Sequence, residues 1–529
     1  MKKILWISDY SFTGYTLVTQ CLLGHIRDNY EVFLLVINVN QERDTIIQRV
    51  NKDLGLDKDH IFSVDKVMGK IDNFNFNILT GIFDIPNILK KVNPDIIFSL
   101  NDHHILIAQI KCINSCSFWK GITVAYMPID AENYPEHFFK DLHNFNHVIT
   151  MNNSSKKILL ESKFYGHIYV LNHPIKETFF EIKDKSSLRN MFGDKINANS
   201  ILIFNANANS DRKRLDLTIE SFYMLYKKYT DNIQIQTKNV FLVLKTSGGY
   251  FNIEGIINTL DIKYDIILKE NIIFVTNKFS YEDLNRFYNC ADLYITTTSG
   301  EGWGLTAFEF LKLNIYTLVP SSISYIEFFN KELLYDTHLI KLREGRTLEK
   351  SYGNVVWCIL KGQKSGEFSI TRDESISIVD DSSHIQKYII SPNTNFPSFN
   401  SVINKLTELS NSNMLPDKFM IFLEINETSK YTFYNKIMTE LYNYDLNNLK
   451  LFAQRYNIQC VNHYGMDSLI VQVKIPILDD LVDKMIYYIT NKEQCDEDIK
   501  LYSADILKDL SNEKIGEDFK NILKDIIME

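Results

Sequence analysis

TTTSGEGWGLTAFEFLKLNIYTLVP, residues 296–320, sets how the rest of the chain reads. It leaves an apolar strand, passes a glycine-rich turn, enters a helix and returns through a second apolar strand, which is one unit of a parallel α/β sheet. Such a turn leaves backbone N–H groups at a helix N-terminus, where they and the helix dipole attract phosphate. Glu301 and Glu309 flank that anion site. A carboxylate repels phosphate, so both acids are expected to face neutral hydroxyl-rich groups beside it, and paired acceptor oxygens suit a sugar diol. Taken singly, Glu301 reads better as a solvated loop acid and Glu309 as an exposed helix residue.

Working outward, the same grammar extends upstream. Strands are predicted at Ser200–Asn205, Val240–Lys245, Ile272–Val275, Leu293–Thr297 and Tyr316–Pro320, with helices at Leu215–Lys228, Tyr281–Asn289 and Leu305–Leu313. Ser280, three residues before Asp283, is a candidate cap for the second helix. An earlier series has strands at Lys3–Ser8, Glu31–Ile37, Asp95–Leu100, Thr123–Ile129, His147–Met151 and Ile168–Leu171, and a helix at Thr16–Arg27. After His173-Pro174 and the charged stretch Lys176–Lys185 the pattern restarts. Two Rossmann-like domains are therefore expected, at 1–180 and 181–330. Beyond Asn330 the rhythm is lost until about residue 465, apart from a strand at Phe419–Ile425 and a helix at Tyr431–Tyr444. A stretch that long exceeds any ordinary loop, so 331–464 is expected to be an insertion or subdomain in the second domain. Strand Leu469–Ile475, helix Leu478–Ile489 and further helical patterns then make 465–529 the end of that domain.

A second chemical constellation lies in FNANANSDRKRLDLTIESF, residues 204–222, where Arg212, Lys213 and Arg214 occupy a loop between strand and helix. Loops at the carboxyl ends of parallel strands carry ligands. Fixed cations there can stabilise a departing diphosphate without a metal, although three charges in a row also suit a solvated turn. Gly14, before the first helix, is either a turn glycine or part of a ligand-bordering loop. Asp130, at the carboxyl edge of the Thr123–Ile129 strand, is either a site acid or the cap of the next turn. Trp303 either faces a bound sugar or braces the glycine turn. His103 and His104 are weaker candidates of the same kind.

The bulk numbers exclude several classes. The 529 residues are 45% hydrophobic and 23% charged, an ordinary globular composition with room for two or three domains. A formal charge of −9 makes nucleic acid an unexpected partner. The 7 cysteines are scattered without metal-ligand spacing and read as reduced thiols, so a cytoplasmic location is expected. The opening MKKILWISDYSF has too short an apolar run for a signal peptide and reads as a buried strand. No window approaches the roughly 18 uninterrupted apolar residues of a spanning helix, so any membrane contact would be peripheral. Neither G-x-G-x-x-G nor G-x-x-x-x-G-K-[ST] occurs, which argues against dinucleotide dehydrogenases and phosphate-transferring P-loop enzymes.

Glu301 and Glu309 inside SGEGWGLTAFEF resemble the E-x7-E motif of retaining family-four (group 1) glycosyltransferases, and FSYEDLNRFYNCADLYITTTSGEGWGLTAFEFLKLNIYTLVP is similar to that family's nucleotide-sugar region almost throughout. The resemblance implies a GT-B fold, in which two Rossmann-like domains face a cleft, and a hexosyl or related transfer that retains anomeric configuration. The donor would be a nucleotide diphosphate sugar and the acceptor a glycan, lipid or protein, with no other cofactor. It implies that Glu309 holds the ribose hydroxyls and Glu301 those of the transferred sugar, while the amides around Gly304, Leu305 and Thr306 hold the diphosphate, with Gly302 and Trp303 also on the donor side. RKRLD is similar to the family's R/K-K-G-x-D segment, which implies that Lys213 receives the leaving group with Arg212 in support. The family commonly has an arginine about five residues before that lysine, where this chain has Asn207-Ala208-Asn209. The resemblance also implies that Gly14 borders the diphosphate and Asp130 lies near the sugar. No DxD pair sits at a strand end, so no metal is expected. A nucleotide-sugar-binding scaffold without transfer and a sugar-nucleotide epimerase on the same fold are the alternatives.

Overall fold

The computed structural model describes residues 1–343, except 11–13, 38–41, 66–77, 133, 135–137, 198, 231–238 and 247, then separate strands up to residue 469, and finally 470–528. Its first sheet has seven strands: β1 (Lys3–Asp9), β2 (Glu31–Ile37), β3 (Ile61–Ser63), β4 (Ile96–Leu100), β5 (Ile122–Met127), β6 (His147–Thr150) and β7 (His167–Val170). They are parallel throughout, in the order β3-β2-β1-β4-β5-β6-β7. The strands read as unbroken apolar runs because helices cover both faces of a parallel sheet. Trp6 and Phe98, from adjacent strands, stack at 4.1 Å in this core.

The second sheet comprises β8 (Ile201–Asn205), β9 (Val240–Lys245), β10 (Ile272–Val275), β11 (Leu293–Ile295), β12 (Tyr316–Pro320) and β13 (Leu334–Tyr335), also parallel, in the order β10-β9-β8-β11-β12-β13. In both sheets the first strand lies beside the fourth, so chain order reverses there. A crevice opens at the carboxyl ends of strands at such a point, and this is where open α/β sheets bind ligands. Two Rossmann-like sheets with their loops turned toward each other make this the GT-B fold. The short edge strands β3 and β13 lack a readable sequence signal.

Residues 337–343 and 470–476 run antiparallel to each other, Thr337 opposite Pro476 and Arg343 opposite Ile470. The strand predicted at Leu469–Ile475 is thus present as Ile470–Pro476, but in a two-stranded ribbon outside the parallel sheet. Between the two arms of this ribbon, the described residues include a mixed sheet. Glu367–Ile370, Gln386–Ile390 and Phe419–Leu423 run parallel, with Ile376–Val379, Ile359–Leu360 and Ile458–Gln459 completing it. The helix predicted at Tyr431–Tyr444 lies outside the described residues.

After the ribbon, the helix Leu478–Thr490 returns to the second domain, where Tyr488 donates to the Asp292 carbonyl at 2.8 Å. The last helix, Asn512–Met528, packs on Gly14–Ile26 of the first domain. Phe519 meets the edges of Trp6 and Phe98, and a Cβ on Gly516 would lie 2.2 Å from the His25 ring. Gly516→Ala is therefore expected to overpack this junction and cost about 1–2 kcal/mol, read as a lowered urea midpoint with unchanged slope. No helix among the described residues is long and apolar enough to cross a membrane.

Candidate active site

The site is assembled where β8 and β11 adjoin. The loop after β8 folds into a short turn, Asp211–Lys213, followed by Arg214 at φ 49° and the helix Leu215–Thr230. Left-handed backbone disfavours a side chain. Here Arg214 is held by a paired, buried contact to Asp216, with Nε at 3.0 Å and Nη2 at 2.8 Å from the carboxylate. Asn207 and Asn209 brace the loop. Asn207 donates to Asn205, Tyr294 and Thr296, and Asn209 exchanges hydrogen bonds with the backbone of Phe251.

That scaffold aims Arg212 and Lys213 at the turn after β11. Lys213 Nζ donates to Glu301 Oε1, and Arg212 Nη1 donates to Glu301 Oε2 at 3.0 Å and to the Gly300 carbonyl. From the other domain, Asp130 Oδ2 lies 3.3 Å from Arg212 Nε. Burial favours the neutral form of Glu301, but Lys213 and then Arg212 outweigh it and hold the carboxyl down at about 2. Burial likewise pulls the Lys213 ammonium below its ordinary range, opposed by Glu301. For Arg212, burial is more than offset by Glu301 and Asp130, so the guanidinium holds its proton more tightly than usual. The four groups balance in charge and bring both domains to one point.

Next to this cluster the helix Leu305–Lys312 begins at Gly304, whose φ of 91° suits only glycine and where a Cβ would collide with Tyr325. No side chain caps this N-terminus and no acid lies in its first turn, so the amides of Leu305 and Thr306 and the positive dipole end are turned to the crevice. Gly14 borders the same spot, since a Cβ there would meet Leu305 Cδ1 at 2.8 Å. One turn into the helix sits Glu309, 9% exposed. Burial pushes its carboxyl up to about 7, with the nearby Lys176 ammonium countering in part.

Two sequence candidates, Trp303 and Gly302, make contacts within the protein. Trp303 is turned inward and 3% exposed, stacked on Phe308 at 4.8 Å with Phe328 against it at 5.0 Å. An indole in a glycine turn gains more by filling the apolar space beneath it than by facing the crevice, so Trp303 braces the turn. Gly302 lies at the domain junction, its carbonyl accepting from Asn152 Nδ2 at 2.8 Å. His103 stacks on Phe138 at 4.2 Å, and His104 is exposed.

Other residues join the site that sequence reading passed over. Tyr15 donates to Asp102 Oδ1 at 2.7 Å, within the electrostatic reach of Asp130 and Arg212. Lys176, in the segment joining the domains, sits 3.3 Å above the Tyr281 ring and 3.4 Å from Gln20 Oε1. Its charge was legible only as part of a linker, because nothing local says that the linker passes beside Glu309.

No protein-family model matches the sequence, and no curated protein matches it. Among solved structures, the chain is similar to sucrose-phosphate synthase from Thermosynechococcus elongatus, at 14% identity and TM-score 0.48 over 64% of this chain and 86% of that one. It is also similar to HepE of Anabaena in complex with UDP, at 13% identity and TM-score 0.46 over 64% of this chain and 85% of that one. A third similarity is to the N-terminal domain of Candida albicans trehalose-6-phosphate phosphatase, at 12% identity and TM-score 0.46 over 62% and 84%.

Proposed function

We propose that the protein is a retaining, metal-independent glycosyltransferase that moves a hexosyl or related unit from a nucleotide diphosphate sugar to a hydroxyl of a glycan, lipid or protein acceptor. The observation that carries this reading is the convergence of Arg212, Lys213 and an uncapped helix N-terminus on one crevice, with a buried carboxylate at each side. In the proposed reaction the bond from the anomeric carbon to the diphosphate breaks. The departing oxygen's charge is received by Lys213, Arg212 and the amides of Leu305 and Thr306, and the acceptor oxygen bonds to the anomeric carbon on the same face as its hydroxyl proton passes to the departing diphosphate oxygen. Fixed donors aimed at developing charge supply much of such a rate enhancement. Glu301 and Asp130 already neutralise the two cations, so an incoming diphosphate competes for them and releases Glu301 toward the sugar hydroxyls. Glu309, farther along the helix, accepts from the ribose diol.

The test is incubation with a panel of radiolabelled nucleotide sugars, following release of the nucleotide. Release from at least one donor is expected, unchanged by a chelator. Tight binding of a nucleotide diphosphate with no release from any donor would instead make the protein a nucleotide-sugar-binding scaffold.

A further inference from the structure

The two domains meet through directional contacts beside the charge cluster. The helix Asn153–Glu161 of the first domain begins at Asn152, fully buried, whose Oδ1 accepts from Ser155 N at 2.7 Å in an ordinary N-cap. Its Nδ2 crosses to the second domain and donates to the Gly302 carbonyl at 2.8 Å, one residue beyond Glu301. The remaining first-turn donors are taken by a carboxylate of the second domain. Glu327 Oε1 accepts from Asn153 N at 3.0 Å and Asn153 Nδ2 at 2.9 Å, and Oε2 accepts from Ser154 N at 2.8 Å and Ser154 Oγ at 3.0 Å. Four donors on one carboxylate at a helix N-terminus make a charge-assisted contact reinforced by the dipole.

Both contact points belong to the same rigid piece of the second domain. Glu327 lies in the helix Tyr325–Phe328. Phe328 packs on Trp303 at 5.0 Å, and Tyr325 closes against Gly304. Gly300 and Gly302 in turn lie flush on the end of β5, where a Cβ at 300 would be 1.8 Å from the Asp130 carbonyl and one at 302 would be 2.4 Å from Pro128 Cβ.

We infer that Asn152 and Glu327 are positioning residues for the transfer proposed above, a latch that fixes the Glu301 turn against Asp130 and so registers the donor half of the cleft on the acceptor half. Neither touches substrate. Both act through Gly302 and the Tyr325–Phe328 helix.

The experiment uses the full chain with Glu327→Gln, which is isosteric but leaves one oxygen for four donors, and Asn152→Ala. With the nucleotide sugar that the wild type turns over, kcat should fall about ten- to a hundredfold, since small misplacement of reacting groups is costly. The affinity for the nucleotide diphosphate, measured by calorimetry, should stay within about twofold, as Arg212, Lys213, the Leu305 and Thr306 amides and Glu309 all belong to the second domain. Glu327→Asp, which keeps both oxygens on a shorter arm, should recover part of the rate. Small-angle scattering should show a broadened interdomain distance distribution for the double variant. Wild-type kcat in both single variants, or scattering identical to wild type, overturns the latch. Should the wild type release no nucleotide from any donor, the transferase reading fails, and scattering alone decides whether the latch holds.

Discussion

Replacing Lys213 by alanine is expected to lower turnover about a hundredfold while affinity for the intact nucleotide-sugar donor changes far less, the pattern for loss of one preorganised donor that acts mainly in the transition state. The expectation rests on position. Lys213 is held on Glu301, and its side chain is 16% exposed where that of Arg212 is 34%. A cation so shielded acts with little solvent screening. Arg212 remains in the variant to balance Glu301, so no bare buried carboxylate is created and the fold should survive. Unchanged thermal stability with a collapsed kcat is the signature to look for; near wild-type turnover would remove Lys213 from the mechanism.

Glu309→Gln should do two opposite things. Burial raises the carboxyl from 4.5 to about 7 in the folded protein. Between those values the folded state holds the proton and the unfolded state does not. The stability tied to that proton is complete below pH 4.5 and is lost as pH rises through about 7. At pH 8 the wild type therefore buries a costly charge that glutamine lacks, and the variant should be more stable by about 3 kcal/mol, a gain that vanishes in acid. The same substitution should weaken nucleotide diphosphate binding, because an amide accepts with one oxygen where a ribose diol prefers two. In the wild type, nucleotide diphosphate binding should release protons near pH 7, since the diol selects the ionised carboxylate. Calorimetry in buffers of different ionisation enthalpy reads that release directly. Equal stability of variant and wild type at pH 8 would show that Glu309 carries no such burden.

The parallel strands of both domains were legible because a strand covered on both faces needs no polar residue, so ILWIS, EVFLLVI and IIFSL announce themselves. The glycine turn was equally readable, since Gly304 must take a positive φ and an apolar helical period follows at once. These are local properties. They settled the two series of strands and helices, the loops after β8 and β11, and the residues Arg212, Lys213, Glu301 and Glu309 as bearers of charge beside a helix N-terminus.

What those charges face was decided only by tertiary structure. Glu301 meets residues 88 and 89 positions away, Asn152 reaches Gly302 across 150, and Glu327 reaches Asn153 across 174. No periodicity encodes such pairings, because they depend on how two sheets set their loops against each other. Trp303 shows the same limit, its two possible directions being separated only by the apolar space that Phe308 and Phe328 leave beneath the turn. So does the strand Ile470–Pro476, whose alternating pattern foretold a strand but not that its partner would be Thr337–Arg343. Sequence by itself determined the elements and the chemical types at their ends, since backbone geometry and burial act within a few residues. Partnership required the fold, since side chains pair by distance in space and not along the chain.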